Sequence, residues 1–290
     1  MVIRERHSNK LIKLFLLITL IMNNVEKEYY LFIDNKYSSL LSTNSSSLKI
    51  FIMTHKDFVN PRYNPVYNIV ADNKGQLKNK YIHKIFYSKK SKLYNMRRAY
   101  GEMSKLYFIY QLYKKGIFSS KYIGLNHYRR FFYFGDNIPY LEGIFEKYDV
   151  ILSKEKRLKK NIMNHYCESH ICKNYLEVLD IINENKPEYY NTAKRISKIR
   201  KIYICNMFIM KTIDFFKYCE FVFDILFEFD KRNNFTSDND VLNYVKKYYV
   251  KSDRRYYQSR IQGFLAERLS NIFFRYHFKR IKMLAVEEIL

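Results

Sequence analysis

The chain has 290 residues, enough for one large α/β domain or two small ones, and 48% of them are apolar, which excludes a chain that is disordered throughout. Its 52 Lys and Arg against 28 Asp and Glu give a formal charge of +24, which favours polyanionic partners such as nucleic acid, anionic lipid or phosphorylated substrates, although a compositional bias toward Lys, Asn, Ile and Tyr accounts for part of it. The four cysteines show neither a zinc-ribbon spacing nor a disulfide framework, so we expect free thiols and a reducing cytoplasm.

The first 47 residues are predicted to form an extension that precedes the folded domain. Basic residues near the start lead into an apolar run over 11–22, which is short for a transmembrane helix and is not followed by a signal-peptide cleavage motif. Three interpretations stay open for this run: an anchor at a membrane surface, a packed helix, or an upstream start codon. The Ser- and Asn-rich stretch 38–47 is typical of a linker.

A strand, helix, strand pattern opens the main domain, which we place at residues 48–278. The predicted elements are, in order, strands over 48–55 and 67–71, a helix over 98–115 with Gly116 as its C-cap, and a near-continuous apolar strand over 121–125. This order predicts a single α/β domain with a mixed, mostly parallel sheet flanked by helices.

The second half of the chain continues the alternation of helices and strands. The predicted elements are a helix over 140–147, a strand over 148–152, a basic loop over 153–160, a helix over 175–185, a strand pair or bent strand over 202–210, an aromatic helix over 213–229, and a basic amphipathic helical region over 258–278. Residues 279–290 are interpreted as a C-terminal tail.

Polar clusters follow three of the predicted strands. The clusters are Thr54 to Lys56 at the end of the first strand, Asn126 to Arg130 at the end of the strand over 121–125, and Cys205 to Met207 in the segment 202–210. Ligands of open parallel sheets bind beyond the carboxyl ends of the strands. If these strands are parallel neighbours, the three clusters share one rim of the sheet.

The Asn126 to Arg130 cluster is the most informative of the three. Arg129 and Arg130 carry planar forks that bind phosphate oxygens bidentately, and His127 has the chemistry to donate to a phosphate or bridge to a carboxylate. The alternative is a solvated strand end whose arginines pair with nearby acids. Residue spacing alone leaves these two interpretations balanced.

The acidic candidates all have structural explanations as well. Glu102 suits the start of a helix, where the helix dipole favours an acid, and Glu267 suits a surface helix beside Arg268. Asp238 and Asp240 form a D-x-D string that binds a divalent cation or, as we favour, caps a helix. The residues His165, His170 and Cys167 show no metal-ligand spacing. Glycine-rich phosphate loops are nearly excluded, because the chain has only seven glycines and contains neither a P-loop nor a G-x-G-x-x-G motif.

Seven segments, in order, resemble a bacterial family of glycosyltransferase-like proteins from capsule and lipopolysaccharide gene sets, domain of unknown function 4422 (DUF4422). The segments are Lys49–Lys56, Tyr100–Tyr107, Tyr122–Phe131, Tyr148–Leu152, Tyr166–His170, Asn206–Lys211 and Gly263–Leu269. The G-L-x-H-Y-R-R-F core within Tyr122–Phe131 is the most specific. The sequence departs from the family where a Trp-containing stretch is expected after Glu102, and Phe108 and Tyr110 stand there instead.

The resemblance implies a GT-A-like fold and a hexosyltransferase that uses a nucleotide-sugar donor. The donor is expected to be UDP-linked, carrying a hexose or galactofuranose, and the acceptor to be a saccharide or a lipid-linked saccharide for cell-surface polysaccharide. The strand end that carries a metal-binding D-x-D in GT-A enzymes here reads Asn126-His-Tyr-Arg-Arg130. The resemblance therefore implies cationic side chains on the donor diphosphate, assigns no metal ion, and leaves a requirement for Mn²⁺ or Mg²⁺ open.

The resemblance also implies roles for single residues. Thr54, His55, Asn126, Arg129, Arg130 and Asn206 are expected to bind the donor, with Asn206 facing the sugar or the acceptor. Glu267 is expected to deprotonate the acceptor hydroxyl if the linkage forms with inversion, and His127 is the second catalytic candidate. Further candidates are Glu102, Tyr128, His170 and Arg268.

Two other classes of function compete with this one. The charge and the interleaved Tyr and Lys suit a nucleic-acid-binding protein, but no nucleic-acid module is recognisable and the basic residues are spread along the chain, so we expect no nucleic-acid partner. A non-catalytic family member that only binds saccharide is the other. We expect a cytoplasmic protein that works at the inner face of the membrane if its acceptor is lipid-linked, where anionic lipid is a further partner.

Overall fold

The computed structural model describes residues 47–58, 66–73, 75, 77, 83–134, 140–249 and 254–288. The apolar run 11–22 and most of the linker 38–47 lie outside the described residues. Within the described part of the chain, no helix combines the length and the apolarity needed to cross a bilayer.

Eleven strands are described, and nine of them form one sheet. The strands are β1 (Leu48–Met53), β2 (Tyr67–Ala71), β3 (His83–Phe86), β4 (Tyr122–His127), β5 (Arg130–Phe132), β6 (Val150–Ser153), β7 (Lys156–Arg157), β8 (Lys201–Ile202), β9 (Phe208–Lys211), β10 (Ile281–Leu284) and β11 (Val286–Glu288). The main path of the large sheet has the order β10-β6-β9-β4-β1-β2-β3, and β5 and β11 extend it beside β4. β7 and β8 form a separate antiparallel pair.

The direction of β9 decides how the sheet is used. β1 pairs in parallel with β2 and β4, and β10 pairs in parallel with β6, whereas β9 runs antiparallel to both β4 and β6. The other six strands of the main path therefore share one direction, which confirms the predicted mixed, mostly parallel sheet. Gly124 is needed at the centre, because a Cβ there would lie 3.0 Å from side-chain atoms of Ile50 and Ile209.

Helices cover both faces of the sheet. They are α1 (Arg97–Tyr100), α2 (Glu102–Lys114), α3 (Leu141–Lys147), α4 (Ile162–Ser169), α5 (Cys172–Asn185), α6 (Pro187–Lys198), α7 (Thr212–Arg232), α8 (Asp238–Tyr248), α9 (Arg255–Gln258) and α10 (Ile261–His277). On one face, α2 packs against β1 and α7 against β4 and β9. On the other face, Phe145 of α3 stacks on Tyr122 of β4 with ring centroids 4.4 Å apart.

The helix predicted over 98–115 is in fact two helices. The break lies at Gly101, whose φ of +57° is in the left-handed region that favours glycine, so α1 ends there and α2 starts again at Glu102. Gly116, with φ +69°, closes α2 after the C-cap Lys115, as predicted. The break turns the start of α2 toward the rim of the sheet.

Two further predictions differ from the structure. Residues 279–290 were set apart as a tail, whereas β10 and β11 belong to the sheet, because Ile281–Leu284 pairs with β6 and Val286–Glu288 with β5. The expectation of free thiols is wrong for two cysteines. Cys167 and Cys172 form a disulfide, because the corner between α4 and α5 brings them together, while Cys205 and Cys219 are free.

Candidate active site

Four chain segments meet at one rim of the sheet, where β1, β4 and β6 end and β9 begins. Thr54 follows β1, His127 ends β4, and Asn206 lies just before β9. The segment 202–210, predicted as a strand pair or a bent strand, holds the end of β8 and most of β9, which do not pair with each other. β9 runs antiparallel to β4 and β6. The three polar clusters still share the rim, because the beginning of an antiparallel strand lies beside the ends of its neighbours. Thr54 itself is buried and bonds locally to Lys56, so it shapes the end of β1.

Tyr128 organises the first side of the site. Its ring is 7% exposed and lies edge-on to His55 at 5.2 Å and stacked with His127 at 4.6 Å between centroids. The guanidinium of Arg129 and the ammonium of Lys56 lie over the same ring, at 5.2 and 5.7 Å from its centroid. A buried ring with two cations and two imidazoles around it holds these side chains in a fixed arrangement.

His127 is a neutral hydrogen-bond donor in this arrangement. The backbone N–H of Arg129 donates to its Nδ1 at 3.2 Å, so the imidazole proton belongs on Nε2. Burial, followed by the charges of Arg130 and Arg129, lowers the pKa of His127 to about 4. Burial and the neighbouring Lys105 likewise lower the pKa of His55. Both groups are therefore uncharged at neutral pH, and Nε2 carries the proton of His127.

The two arginines of the cluster have different surroundings. Arg129 is exposed, whereas Arg130 bonds through Nε to Glu288 of β11 at 2.8 Å and through Nη1 to the sulfur of Cys205 at 3.5 Å. The alternative of arginines paired with acids is therefore realised for Arg130. Since the Glu288 side chain is 60% exposed, this ion pair is worth only about 0–1 kcal/mol. An anionic ligand would compete with it readily.

Asn126 carries the clearest sign of a missing partner. The residue is 1% exposed, and neither its Nδ2 nor its Oδ1 has a hydrogen-bond partner among the described residues. A buried amide without partners costs about 1–3 kcal/mol for each group left unpaired. Such a group at the end of β4 is typical of a position that completes its hydrogen bonds with a ligand or ordered water.

The turn before β9 joins this rim to two carboxylates. Cys205 and Asn206 have φ values of +65° and +50°, a left-handed pair that is rare for residues other than glycine. The N–H of Cys205 donates to Oε1 of Glu267 at 2.8 Å, and Nδ2 of Asn206 donates to Oε1 of Glu102 at 2.8 Å. Ser270 donates to Oδ1 of Asn206 at 2.8 Å. These bonds hold the strained turn and place both glutamates beside it.

Glu102 and Glu267 differ in how their charge is compensated. Burial raises the pKa of Glu102, with the nearby charge of Glu267 acting in the same direction. Glu267 also accepts from Nη1 of Arg268 at 2.6 Å, so both of its oxygens are bonded. Asn206, by contrast, binds one oxygen of Glu102. Glu102 lies in the first turn of α2, as predicted, but its bond to Asn206 and its burial were not predicted.

Arg268 and His170 lie behind the rim rather than on it. Arg268 is 4% exposed, and besides Glu267 it bonds Nδ1 of His165 at 3.3 Å and lies over the ring of Tyr166 at 5.2 Å. It positions Glu267. His170 donates from Nδ1 to Gln258 at 2.9 Å and stacks on Phe264 at 4.0 Å.

The residue that the sequence analysis missed is Arg260, the N-cap of α10. Its charge acts on His55, His127 and Glu102, which lie on three different segments. A Cβ at position 101 would lie 3.3 Å from its Nη2, so the glycine break between α1 and α2 makes room for the guanidinium. The only sequence signal was its place three residues before the matched segment Gly263–Leu269.

A second missed group is the pair of Lys105 and Asp72. Nζ of Lys105 lies 2.9 Å from Oδ1 of Asp72, and Lys105 is 6% exposed. Both charges act on His55. The pair therefore lies near His55, on the side of the rim where β2 ends.

The donor set at this rim does not fit a divalent cation of the D-x-D type. The end of β4 offers an amide, an imidazole and two guanidinium groups, and no group of three His, Cys, Asp or Glu able to hold a metal occurs among the described residues. Asp238 caps α1 by accepting from the N–H groups of Arg98 and Ala99, and Asp240 closes a capping box with Ser237.

The two most perturbed histidines predict a pH dependence of stability. Burial lowers the pKa of His127 and of His170 to about 4 from 6.5. The unfolded chain therefore takes up protons near pH 6.5 and the folded protein only near pH 4, so the free energy of unfolding is full above pH 6.5 and falls as the pH drops toward 4. Each group contributes a slope of at most about 1.4 kcal/mol per pH unit, reduced by its partial exposure.

Urea unfolding between pH 7 and pH 4.5 at constant ionic strength measures this slope. Carboxylates titrate in the same pH range and are the same in both proteins. The slope of the parent protein is therefore compared with that of His170→Phe, which keeps an aromatic ring on Phe264 and removes one titrating group. The variant is expected to show the shallower slope. An unchanged slope would exclude His170 as a source of the dependence.

Comparisons with known proteins add the following. A family model described as "Domain of unknown function (DUF4422)" matches residues 49–278. A solved apo structure of the bifunctional glycosyltransferase WbbM is similar with a TM-score of 0.63 and 21% sequence identity, over 84% of this chain and 45% of that one. No curated protein matches this chain. The structural likeness confirms the predicted GT-A-like fold, while the chain spans less than half the length of that protein.

Proposed function

This chain belongs to the DUF4422 family, and from that premise we propose that it is a glycosyltransferase that transfers a hexose from a nucleotide-sugar donor to a saccharide or lipid-linked acceptor. The fold shared with a bifunctional glycosyltransferase supports the reaction class. Cell-surface polysaccharide as the product rests on the family resemblance of the sequence.

One observation carries the proposal. Arg260 acts on the imidazoles of His127 and His55 on one side and on the carboxylate of Glu102 on the other. Its guanidinium lies beside Gly101, the residue before Glu102, and a cationic group near neutral imidazoles and a carboxylate suits a substrate that has a diphosphate at one end and a reacting hydroxyl at the other. The unpartnered amide of Asn126 lies at the end of the same strand as His127.

In this proposal the diphosphate lies against Arg260 and Arg129, with Nε2–H of His127 donating to a phosphate oxygen. Cationic groups held in place before the reaction stabilise the charge that develops on the leaving nucleoside diphosphate. Arg130 joins them when the phosphate replaces Glu288. The Asn126 amide completes its hydrogen bonds with the donor.

The proton acceptor is better assigned to Glu102 than to Glu267. Both oxygens of Glu267 already accept hydrogen bonds, one from the backbone of Cys205 and one from the buried Arg268, so this carboxylate is engaged in holding the turn. Burial raises the pKa of Glu102, which brings it nearer to the value that suits a general base at neutral pH. Glu267 then positions the turn at Cys205.

The balanced step for an inverting transfer is direct. Glu102 takes the proton of the acceptor hydroxyl, the hydroxyl oxygen forms a bond to the anomeric carbon, and the bond from that carbon to the diphosphate oxygen breaks. The nucleoside diphosphate leaves with the electron pair. Its added charge is met by Arg260 and Arg129.

Turnover with a panel of UDP-linked sugars tests the proposal, monitored by released nucleotide with and without a saccharide acceptor. We expect release with at least one donor, and loss of it in Arg129→Ala with the thermal melting temperature unchanged. Arg97→Ala serves as the matched control, since Arg97 is exposed and lies over Tyr94 outside the rim. If no donor of the panel binds by calorimetry and none releases nucleotide, the proposal is overturned.

A further inference from the structure

A strongly basic surface lies next to the rim, on the antiparallel pair of β7 and β8. It consists of residues 154–160, which include β7, and residues 198–201, which include the start of β8. We call this surface the basic hairpin, although its two strands are joined through α4, α5 and α6 rather than by a turn. Of its eleven residues eight are Lys or Arg and one is acidic, and all eight cationic side chains are exposed.

The single acid of the basic hairpin is already neutralised. Oε1 of Glu155 accepts from Nη2 of Arg275 at 2.7 Å, and its other oxygen lies 3.7 Å from Nζ of Lys201. Arg275 also donates to the backbone oxygen of Lys201 at 3.0 Å. Lys160 also pairs with Glu168 of α4, so the basic hairpin keeps a large net positive charge carried mainly by its other cations, on a support fixed to α10.

Backbone pairing makes this surface continuous. Lys156 pairs with Ile202 and Arg157 with Lys201, and the N–H of Leu158 donates to the oxygen of Arg200 at 2.7 Å. Asn271 bonds both the N–H and the oxygen of Tyr203, at 2.8 Å each, just after β8. The cations are held side by side by the fold rather than scattered along a loose segment.

The basic hairpin leaves the sheet at the same rim as the candidate site. Leu152 of β6 and Leu125 of β4 are both paired with Phe208 of β9, so the three residues lie in one row across the sheet. Two strand spacings separate Leu152 from Leu125, about 10 Å. Lys154 therefore begins the hairpin within about 10–15 Å of His127.

We propose that the basic hairpin docks the protein on an anionic lipid bilayer. Clusters of four to eight Lys or Arg on a surface are attracted to anionic headgroups, by about 1 kcal/mol for each residue near the membrane. No side chain of the cluster is aromatic, so it lacks the stacking platforms of single-stranded nucleic-acid sites. Beyond the docking itself, and resting on the proposed function, a bilayer at this place presents a lipid-linked acceptor to the rim.

Sedimentation of the full chain with vesicles tests the docking without any sugar transfer. The vesicles contain equal amounts of phosphatidylglycerol and phosphatidylcholine, or phosphatidylcholine alone. We expect binding only to the former, weakening as salt rises from about 50 to 500 mM, since exposed charges are screened at high ionic strength.

The decisive variant replaces Lys154, Lys156, Arg157 and Lys159 by Gln. Its affinity for the anionic vesicles is expected to fall by at least tenfold, because four of the eight cations of the surface are lost. The matched control replaces four exposed lysines away from the basic hairpin, Lys89, Lys114, Lys246 and Lys247, by Gln and has the same net charge. The control is expected to bind nearly as the parent protein does, and thermal melts verify that both variants fold.

Three results would overturn the docking proposal: equal losses in the two variants, salt-independent binding, or binding of RNA or duplex DNA by the basic hairpin with no binding of vesicles. The proposed function fails separately. If the chain binds anionic vesicles but turns over no nucleotide sugar, the docking proposal is supported and the proposed enzyme activity is contradicted.

Discussion

Replacing Arg260 by alanine is expected to lower kcat/KM for the nucleotide-sugar donor by about a hundredfold to a thousandfold. The loss follows from the place of this guanidinium, which acts on His127, His55 and Glu102 at once. In the proposed reaction, its removal leaves the departing diphosphate without its central countercharge. Steady-state kinetics with the best donor of the panel measures the effect.

Two further variants separate charge from shape at this position. Arg260→Lys keeps the charge but loses the planar fork, so it is expected to recover only part of the activity. Gly101→Ala puts a methyl group 3.3 Å from Nη2 of Arg260 and requires a left-handed alanine, so it is expected to lower activity with Arg260 still present. Full activity of Arg260→Ala would remove this residue from the site.

Replacing Glu102 by glutamine is expected to lower kcat by about a hundredfold to ten-thousandfold with little change in the KM for the donor. Glutamine retains an oxygen to accept from Asn206 but cannot take a proton. The parent rate is expected to rise with pH as Glu102 deprotonates, with its acid limb above the ordinary range because burial raises the pKa of this carboxyl. That limb should vanish from the pH profile of the variant.

Glu267→Gln provides the contrast. Arg268 is 4% exposed and pairs with Glu267 at 2.6 Å, so removing the carboxylate leaves a buried guanidinium without its countercharge. Breaking such a pair costs about 3–5 kcal/mol of stability. Urea unfolding should show this loss for Glu267→Gln and little change for Glu102→Gln. If the acid limb of the pH profile vanished in Glu267→Gln and persisted in Glu102→Gln, the role of base would return to Glu267.

Much of the rim could be predicted from local sequence, because the end of a buried strand is marked by a change from apolar to polar residues. A run of apolar residues that stops at Asn126-His127 predicts a strand end with polar side chains, and the structure places Thr54 and Asn206 at the same rim. The alternation of elements also predicted the class of fold. Strand direction was not predictable, since the antiparallel path of β9 depends on where the chain returns after α6.

Arg260 and the role of Glu102 could not be found from the sequence for a physical reason. Their surroundings come from segments about 100 residues or more apart, as in the bond between Asn206 and Glu102 with a separation of 104 residues. The helix break at Gly101 was missed because apolar spacing continues across it. The disulfide of Cys167 and Cys172 was missed because it depends on the corner between two helices rather than on a spacing motif.

The bond from Arg130 to Glu288 has a consequence for how the protein is made. It joins residues 158 positions apart, and β10 and β11 fill places beside strands that are translated much earlier. On the ribosome, β6 and β5 must wait with open edges until residues 281–288 have emerged, and pairing across such separations is slow. Residues 281–288 thus complete this edge of the sheet only after β5 and β6 have been made and left partly unpaired.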